Sequence, residues 1–487
     1  MPMAKEKSPA RGGGRAGAPR RAKIICTIGP ASASRETIAR LIRGGMDVAR
    51  LNFSHGDHAF HRRAVALVRR EEARLGRPVA VLMDLQGIKI RTGRMRGGAV
   101  ELRRGREVLI YPGDGEGDGE RIYISYPGIL SDAGPGHRIL LDDGLMELRV
   151  TGRRRGALMA RVVEGGVLRD KKGVNLPGMR IRIESFTKKD RADLELGLSL
   201  GVDYVAVSFV REASDIAKVR KWIRARGGDV PLIAKIEKPE ALQNIDAILS
   251  EADGLMVARG DLGVEVPAED VPLIQKMLIE KTNSRGKLVI TATQMLESMT
   301  AHPRPTRAEV TDVANAVIDG SDALMLSAET SSGRYPVEAL RMMDRIIRKT
   351  ESERHPPFSY VMGNTFSEAV ARAAAGAASD IGARFIAAFT QSGFTGRLVS
   401  KCRPRVPVLA FTPSEAVRRR MCLYWGVTPR YMRPLKSTDA LFGEVDSALL
   451  SEGLVRPGDS VVVTASAPIL GQGKTNVLKL QRVGGAK

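Results

Sequence analysis

Four apolar segments decide how this chain folds: PLIAKIEKPE (231–240), GLMVARGDLG (254–263), KLVITATQML (287–296) and DALMLSAET (322–330). Each runs into something polar or charged: Lys235 and Glu237, Asp261, Thr293, Glu329. Strands that end on such residues carry chemistry at their C-terminal ends, where parallel barrels place their active sites on variable loops held by rigid strands. Four similar runs lie upstream: AKIICTIGP (22–30), DVARLNFSHG (47–56), VAVLMDLQG (79–87) and DYVAVSFV (203–210). Most are separated by segments of helical period, and eight strand and helix units make a (β/α)8 barrel.

The helical pattern fails once, between Gly93 and Ser185, where short alternating runs are punctuated by glycine, as in HRILLDDGLMELRVTG (137–152). Such punctuation reads as a small antiparallel β domain inserted after the third barrel strand. At the barrel mouth it would act as a lid. After about Arg348, helix alternates with ARFIAAFTQSG, VPVLAFTP, SVVVTASAP and NVLKLQRVG, which predicts a separate α/β domain with a mostly parallel sheet. The expected fold is an α/β (β/α)8 TIM barrel (23–92 and 186–348), an inserted small β-barrel lid (93–185) and a C-terminal α/β regulatory domain (349–487). Residues 1–22, rich in Gly, Ala, Pro and Arg, read as a disordered basic tail.

At 487 residues the chain is too long for one core. Three scattered cysteines exclude a disulfide framework or a thiolate zinc site and fit a reducing, cytoplasmic setting. No apolar run reaches the roughly 18 residues of a membrane span, and the N-terminus lacks the apolar core of a signal peptide. The net charge of +22 raises nucleic-acid binding, but aromatics for base stacking make up only 4% and much of the charge lies on helical stretches that read as solvated faces. No nucleic-acid or membrane partner is expected; a basic surface also attracts anionic substrates.

Residues two apart on a strand share a face, which groups Arg50, Asn52 and Ser54, and separately Lys235 and Glu237. The lysine and glutamate read equally as a structural ion pair, or as a carboxylate for a divalent metal beside a cation for a transferring group. Asp261 would supply a second carboxylate, and two leave room for water and substrate oxygens, as Mg2+ prefers.

The segments ARLNFSHG, DLQGIKIRTG, KKGVNLPG, AKIEKPE, MVARGDLGVEVP, ATQMLESM and PRPTRAEVTDVANAVIDGSDALMLSAET strongly resemble those of pyruvate kinases, in that family's order and over nearly the whole chain after the tail. The resemblance implies transfer of a phosphoryl group from phosphoenolpyruvate to ADP, giving pyruvate and ATP in glycolysis. It implies Mg2+, with Mn2+ as a substitute, held by Glu237 and Asp261. Lys235 would stabilise the phosphoryl group in flight, and Arg50 would grip the phosphate with its planar donors. Thr293, with the backbone of Gly260 and Asp261, would hold the substrate carboxylate. Asn52, His55, Arg91 and Lys172 would meet the nucleotide. Taken singly, His55 reads as a structural hydrogen-bonder and the two cations as surface residues. The stretch RPTRAEVTDVANAVIDG would serve the barrel mouth and subunit contacts more than chemistry.

One departure is individual. Potassium-dependent relatives carry Thr and Glu where this chain has Leu85 and Lys89, although the family's other cation ligands, Asn52, Ser54 and Asp84, are retained. A lysine ammonium would replace the ion, so K+ is expected not to be required; the alternative is that Lys89 points to solvent and K+ binds nearby. The family also implies a sugar-phosphate or AMP effector at a loop containing Thr390, Gln391, Ser392, Gly393 and Thr395, though many such turns bind nothing, and it implies a homotetramer. The chain ends soon after NVLKLQRVGGAK, so the extra C-terminal domain of some bacterial members is expected to be absent. Two rivals remain at this stage: a barrel enzyme acting on pyruvate or a similar oxo acid, and a non-catalytic nucleic-acid binder.

Overall fold

The computed structural model describes residues 20–179, 181–353, 363, 365–435, 437–467 and 475–484. All eight expected barrel strands form: β1 (Lys23–Thr27), β2 (Val48–Asn52), β3 (Ala80–Asp84), β4 (Tyr204–Val207), β5 (Leu232–Ile236), β6 (Gly254–Ala258), β7 (Leu288–Ala292) and β8 (Ala323–Leu326). They pair in parallel in sequence order, and β8 closes on β1 through Lys23↔Ala323 and Ile25↔Met325. The strands are buried on both faces, which is why they read as nearly continuous apolar runs.

Alternation along each strand sorts the two faces. Ile25, Val48, Leu82, Tyr204, Ile233, Met256, Ile290 and Met325 fill the barrel interior. Ile24, Ala49, Leu51, Val81, Met83, Ala234 and Ile236 pack outward in the core shared with the helices. With a period of two, the inward positions continue from Val48 to Arg50 and Asn52, from Leu82 to Asp84, and from Ile233 to Lys235 and Glu237. The apolar filling below thus places the polar residues above. Helices are started by side chains that accept orphan N–H groups, as in the capping boxes at Thr187 and Thr306.

The insertion is a half-barrel. Its six-stranded sheet runs Val174–Asn175, Arg138–Leu141, Met146–Arg154, Ala157–Glu164, Glu107–Pro112 and Arg121–Ile124, beside two two-stranded ribbons. The antiparallel expectation holds for most pairs, but Glu107–Pro112 and Arg121–Ile124 lie parallel. The chain between them detours to pair Glu116–Gly117 with Arg94–Met95, so it is a crossing rather than a hairpin.

In the C-terminal domain β9 (Phe385–Phe389), β10 (Val408–Thr412), β11 (Val427–Tyr431), β12 (Ser460–Ala465) and β13 (Val477–Arg482) form a sheet in the order β11-β10-β9-β12-β13, parallel except for β13. Strand β11 escaped the sequence reading because it contains Pro429; it lies at the sheet edge, where a missing N–H is tolerated. The last barrel helix, Pro336–Ser352, runs past the boundary expected at residue 348.

This domain seals the N-terminal face of the barrel. Tyr204 Oη on β4 donates to Arg420 O at 2.7 Å, and Lys23 Nζ on β1 donates to Val427 O at 2.7 Å. Beside them Asp322 takes Lys401 Nζ at 2.5 Å and Arg403 at 3.0 Å. Of the segment read as a basic tail, residues 1–19 lie outside the described residues, but Arg20 to Ala22 are built into this face. The Arg20 side chain is 4% exposed and bonds Asp47 at 2.6 Å and Asp344 at 2.9 Å, partners too distant in sequence to be read from composition. Among the described residues no helix is long and apolar enough to cross a membrane.

Candidate active site

A cavity of about 220 Å3 opens between the barrel mouth and the lid, lined by Arg50, Asn52, Ser54, His55, Lys89, Lys235, Glu237 and Asp261 among others. Lys235 is its centre. Its Nζ lies 2.8 Å from Glu237 Oε1, 3.2 Å from Asp84 Oδ1 and 2.8 Å from Ser208 Oγ. Asp84 in turn receives Arg50 Nε at 2.7 Å, and Arg50 Nη1 donates to Thr27 Oγ1 at 3.0 Å. Two cations and two carboxylates therefore interlock across β2, β3 and the end of β5, with Thr27 of β1 bracing Arg50.

Burial pulls the Lys235 ammonium down, but Asp84, Glu237 and Asp261 outweigh it and hold the group well above the ordinary lysine value. Burial pushes the Asp84 carboxyl up, yet Lys235 and Arg50 bring it below the usual carboxylate range. Glu237 goes the other way: burial raises it, Lys235 opposes, and Asp261 adds to the rise. Its Oε2 accepts the N–H of Phe209 at 2.7 Å, and Phe209 adopts a left-handed backbone (φ 52°) to present that donor.

On the opposite rim, Asp261 sits in the first turn of the short helix Arg259–Glu265. The Gly260 N–H donates to Thr293 Oγ1 at 2.8 Å, and Thr293 itself has φ 67°. Arg259 ties these loops, donating to Thr293 O at 2.8 Å and Asp312 Oδ1 at 2.6 Å. Asp312 lies in the helix formed by the stretch read as building the barrel mouth. Glu329 is fully buried and accepts the N–H groups of Leu296 and Ser327, so it braces loops rather than facing the cavity.

Not every expected residue converges. Arg91 and Lys172 stay at the lid hinge, where Arg91 donates to Lys171 O at 2.7 Å and Lys172 pairs with Asp142 at 2.9 Å. Lys89 does line the cavity; burial and Arg91 lower its ammonium below the ordinary lysine value while Asp261 and Asp143 oppose. The His55 ring is lowered likewise, by burial and then by Lys89, Arg91 and Arg50. Leu85 turns outward into the helix-side core. Asn52 Oδ1 accepts the Ser54 N–H at 3.1 Å.

Models of two domains match this chain: "Pyruvate kinase, barrel domain" over residues 19–340 and "Pyruvate kinase, alpha/beta domain" over residues 368–481. The chain belongs to the pyruvate kinase family. A pyruvate kinase of Geobacillus stearothermophilus is 47% identical over 469 residues, covering 95% of this chain and 80% of that one. One from Corynebacterium glutamicum is 45% identical over 465 residues, with 96% and 98% covered. The crystal structure of a pyruvate kinase from Cryptosporidium parvum superposes with a TM-score of 0.90 at 35% identity, over 95% of this chain and 96% of that one. As a member of the pyruvate kinase family the chain is a phosphotransferase.

Several groups at this cavity were not singled out in the sequence. Ser208, next to Lys235, continues the inward face of β4, and the polar end of DYVAVSFV was its signal. Lys238, Glu265 and Asn175 form a second polar group at the mouth, joined only through the fold. In the C-terminal domain, Thr390 Oγ1 accepts the Gly393 N–H at 3.0 Å and the Thr395 hydroxyl meets that of Thr475 at 2.8 Å. Both threonines are buried, whereas Gln391 and Ser392 are exposed.

Proposed function

We propose that the chain transfers the phosphoryl group of phosphoenolpyruvate to ADP with the help of Mg2+ and without a requirement for K+, the residues at the barrel mouth acting as follows. The carrying observation is the single cavity shared by Lys235, Arg50, Glu237 and Asp261. The donor set suits Mg2+: Glu237 and Asp261 bring two carboxylates to one cavity, and Mg2+ commonly takes one or two carboxylates plus water and substrate oxygens. Glu237 and Asp261 would hold it. Bound there, it would neutralise charge on the phosphate and enolate oxygens.

The protein's own part is positioning and charge stabilisation, which is most of what phosphoryl transfer needs. Arg50, fixed by Asp84 and Thr27, offers its remaining guanidinium N–H groups to the phosphate. Lys235 stays charged and faces the group in flight. Thr293 and the backbone of Gly260 and Asp261 hold the substrate carboxylate, while Asn52 and His55, with Arg91 and Lys172 at the lid hinge, meet the nucleotide. Independence from K+ is supported by Lys89 in the cavity and by the engagement of the retained cation ligands: Asp84 with Arg50 and Lys235, Asn52 with Ser54. The reading extends to a cytoplasmic homotetramer with a sugar-phosphate or AMP effector at the exposed Ser392 turn before the helix Phe394–Lys401.

Pyruvate release coupled to ATP formation tests this. Lys235→Met and Glu237→Ala should each lower kcat by about 10²-fold or more; a loss under about tenfold would refute the roles. In K+-free buffer the parent should keep most of its activity, and near-complete loss there would refute the role of Lys89.

A further inference from the structure

The lid and the loops of the cavity meet at one carboxylate. Glu265 ends the short helix whose first turn holds Asp261, and only 8% of it is exposed. Its Oε1 accepts Asn175 Nδ2 of the lid at 2.9 Å and also pairs with Lys238 Nζ. Lys238 directly follows Glu237 and is itself buried. Asn175 is fixed in turn by the lid sheet, where it pairs with Leu140. Among the described residues this is the one side-chain hydrogen bond from the lid to the far rim of the mouth. The other links, such as Ser185 Oγ to Asp215 Oδ1 and Arg211 to the carbonyls of Ile181 and Ile183, lie at the hinge.

We infer that Glu265 is a positioning residue, the latch through which seating of the lid is coupled to Glu237 and Asp261; this rests on reading those two as the metal-binding pair. The Lys238 pair locks the loop after β5 to the helix after β6, and so sets the separation of Glu237 and Asp261. Among the described residues neither partner has another ion-pair partner, so this buried pair holds the two loops together. Glu265 retains a lone pair toward the lid, and Asn175 is the donor that satisfies it when the lid is seated. Closure therefore adds a charge-assisted hydrogen bond to the same carboxylate that spaces the two metal-binding loops.

The test separates closure from metal binding. Spin labels on cysteines introduced at the exposed Arg154 of the lid and Glu269 of the rim, with Cys402→Ser as background, report the lid distance. Mn2+ binding to unlabelled protein reports the metal loops. Asn175→Ala should fail to reach the closed distance when Mg2+ and phosphoenolpyruvate are added and should raise KM about tenfold, with Mn2+ affinity unchanged. Glu265→Gln should lose closure and also bind Mn2+ about tenfold more weakly. Closure like the parent's in either variant, or parental Mn2+ affinity in Glu265→Gln, would overturn the latch. If Glu265→Gln does not fold, Asn175→Asp, which sets two carboxylates face to face, must hold the lid open. Glu237→Ala run alongside judges the metal assignment by itself: unchanged Mn2+ affinity there sinks that assignment, while the label distances still decide the latch.

Discussion

A buried lysine meets carboxylate at each end of the barrel, Lys235 on β5 at the mouth and Lys401 from the C-terminal domain at the sealed end, and the two behave oppositely. At the mouth, Lys235 faces Asp84, Glu237 and Asp261 with Arg50 as its cationic rival, and its ammonium is held charged. At the sealed end, burial lowers Lys401 to about 7; Asp322 opposes this, but Arg403 shares that carboxylate and adds to the lowering. The difference is one of stoichiometry. Three carboxylates around Lys235 keep its ammonium charged at an open cavity, whereas one carboxylate shared by two cations under a docked domain fastens two parts of the chain.

Breaking the mouth should show in turnover. Asp84→Asn removes the carboxylate that aims both Arg50 and Lys235, and the rate of ATP formation in a single turnover should fall about 10²-fold. Breaking the sealed end should show in stability instead. Lys401→Met removes the hydrogen bonds of its Nζ to Asp322 and Asn283 while Arg403 still pairs Asp322, and should cost about 2 kcal/mol in urea unfolding while kcat stays at the parental value. The sign of its pH dependence is fixed. Because the folded state holds Lys401 near 7 and the unfolded chain near its ordinary 10.5, the unfolded state binds more protons between those values. Stability from this group therefore rises as pH climbs from about 7 toward 10.5, and the rise should vanish in Lys401→Met. The smallest effect belongs to the C-terminal turn: Thr390→Val loses one neutral hydrogen bond to the Gly393 N–H, about 1 kcal/mol of stability, with basal turnover untouched.

What could be read from the sequence follows the range of the interactions. The eight barrel strands were legible because parallel strands are apolar on both faces, and the inward set Arg50, Asn52, Lys235 and Glu237 followed from alternation alone. Asp261 and Thr293 came from the polar ends of β6 and β7. Beyond that reach lay pairings set by tertiary structure. Glu265 and Asn175 are 90 residues apart. Arg20 resembled the rest of a basic tail until Asp47 and Asp344 gave it partners. The glycine-punctuated runs around Glu107 to Ile124 read as part of an antiparallel domain, and only the pairing of Glu116–Gly117 with Arg94–Met95 shows the crossing that sets two of its strands parallel. Pro429 hid β11, since its edge position is a property of the sheet and not of the strand.

The anchorage of Arg20 has a practical side. The chain enters the barrel at the face covered by the C-terminal domain, with Arg21 O accepting the N–H of Gly426 at 2.9 Å. A carrier or solid support attached ahead of residue 20 therefore joins the barrel at the face opposite the Lys235 cavity.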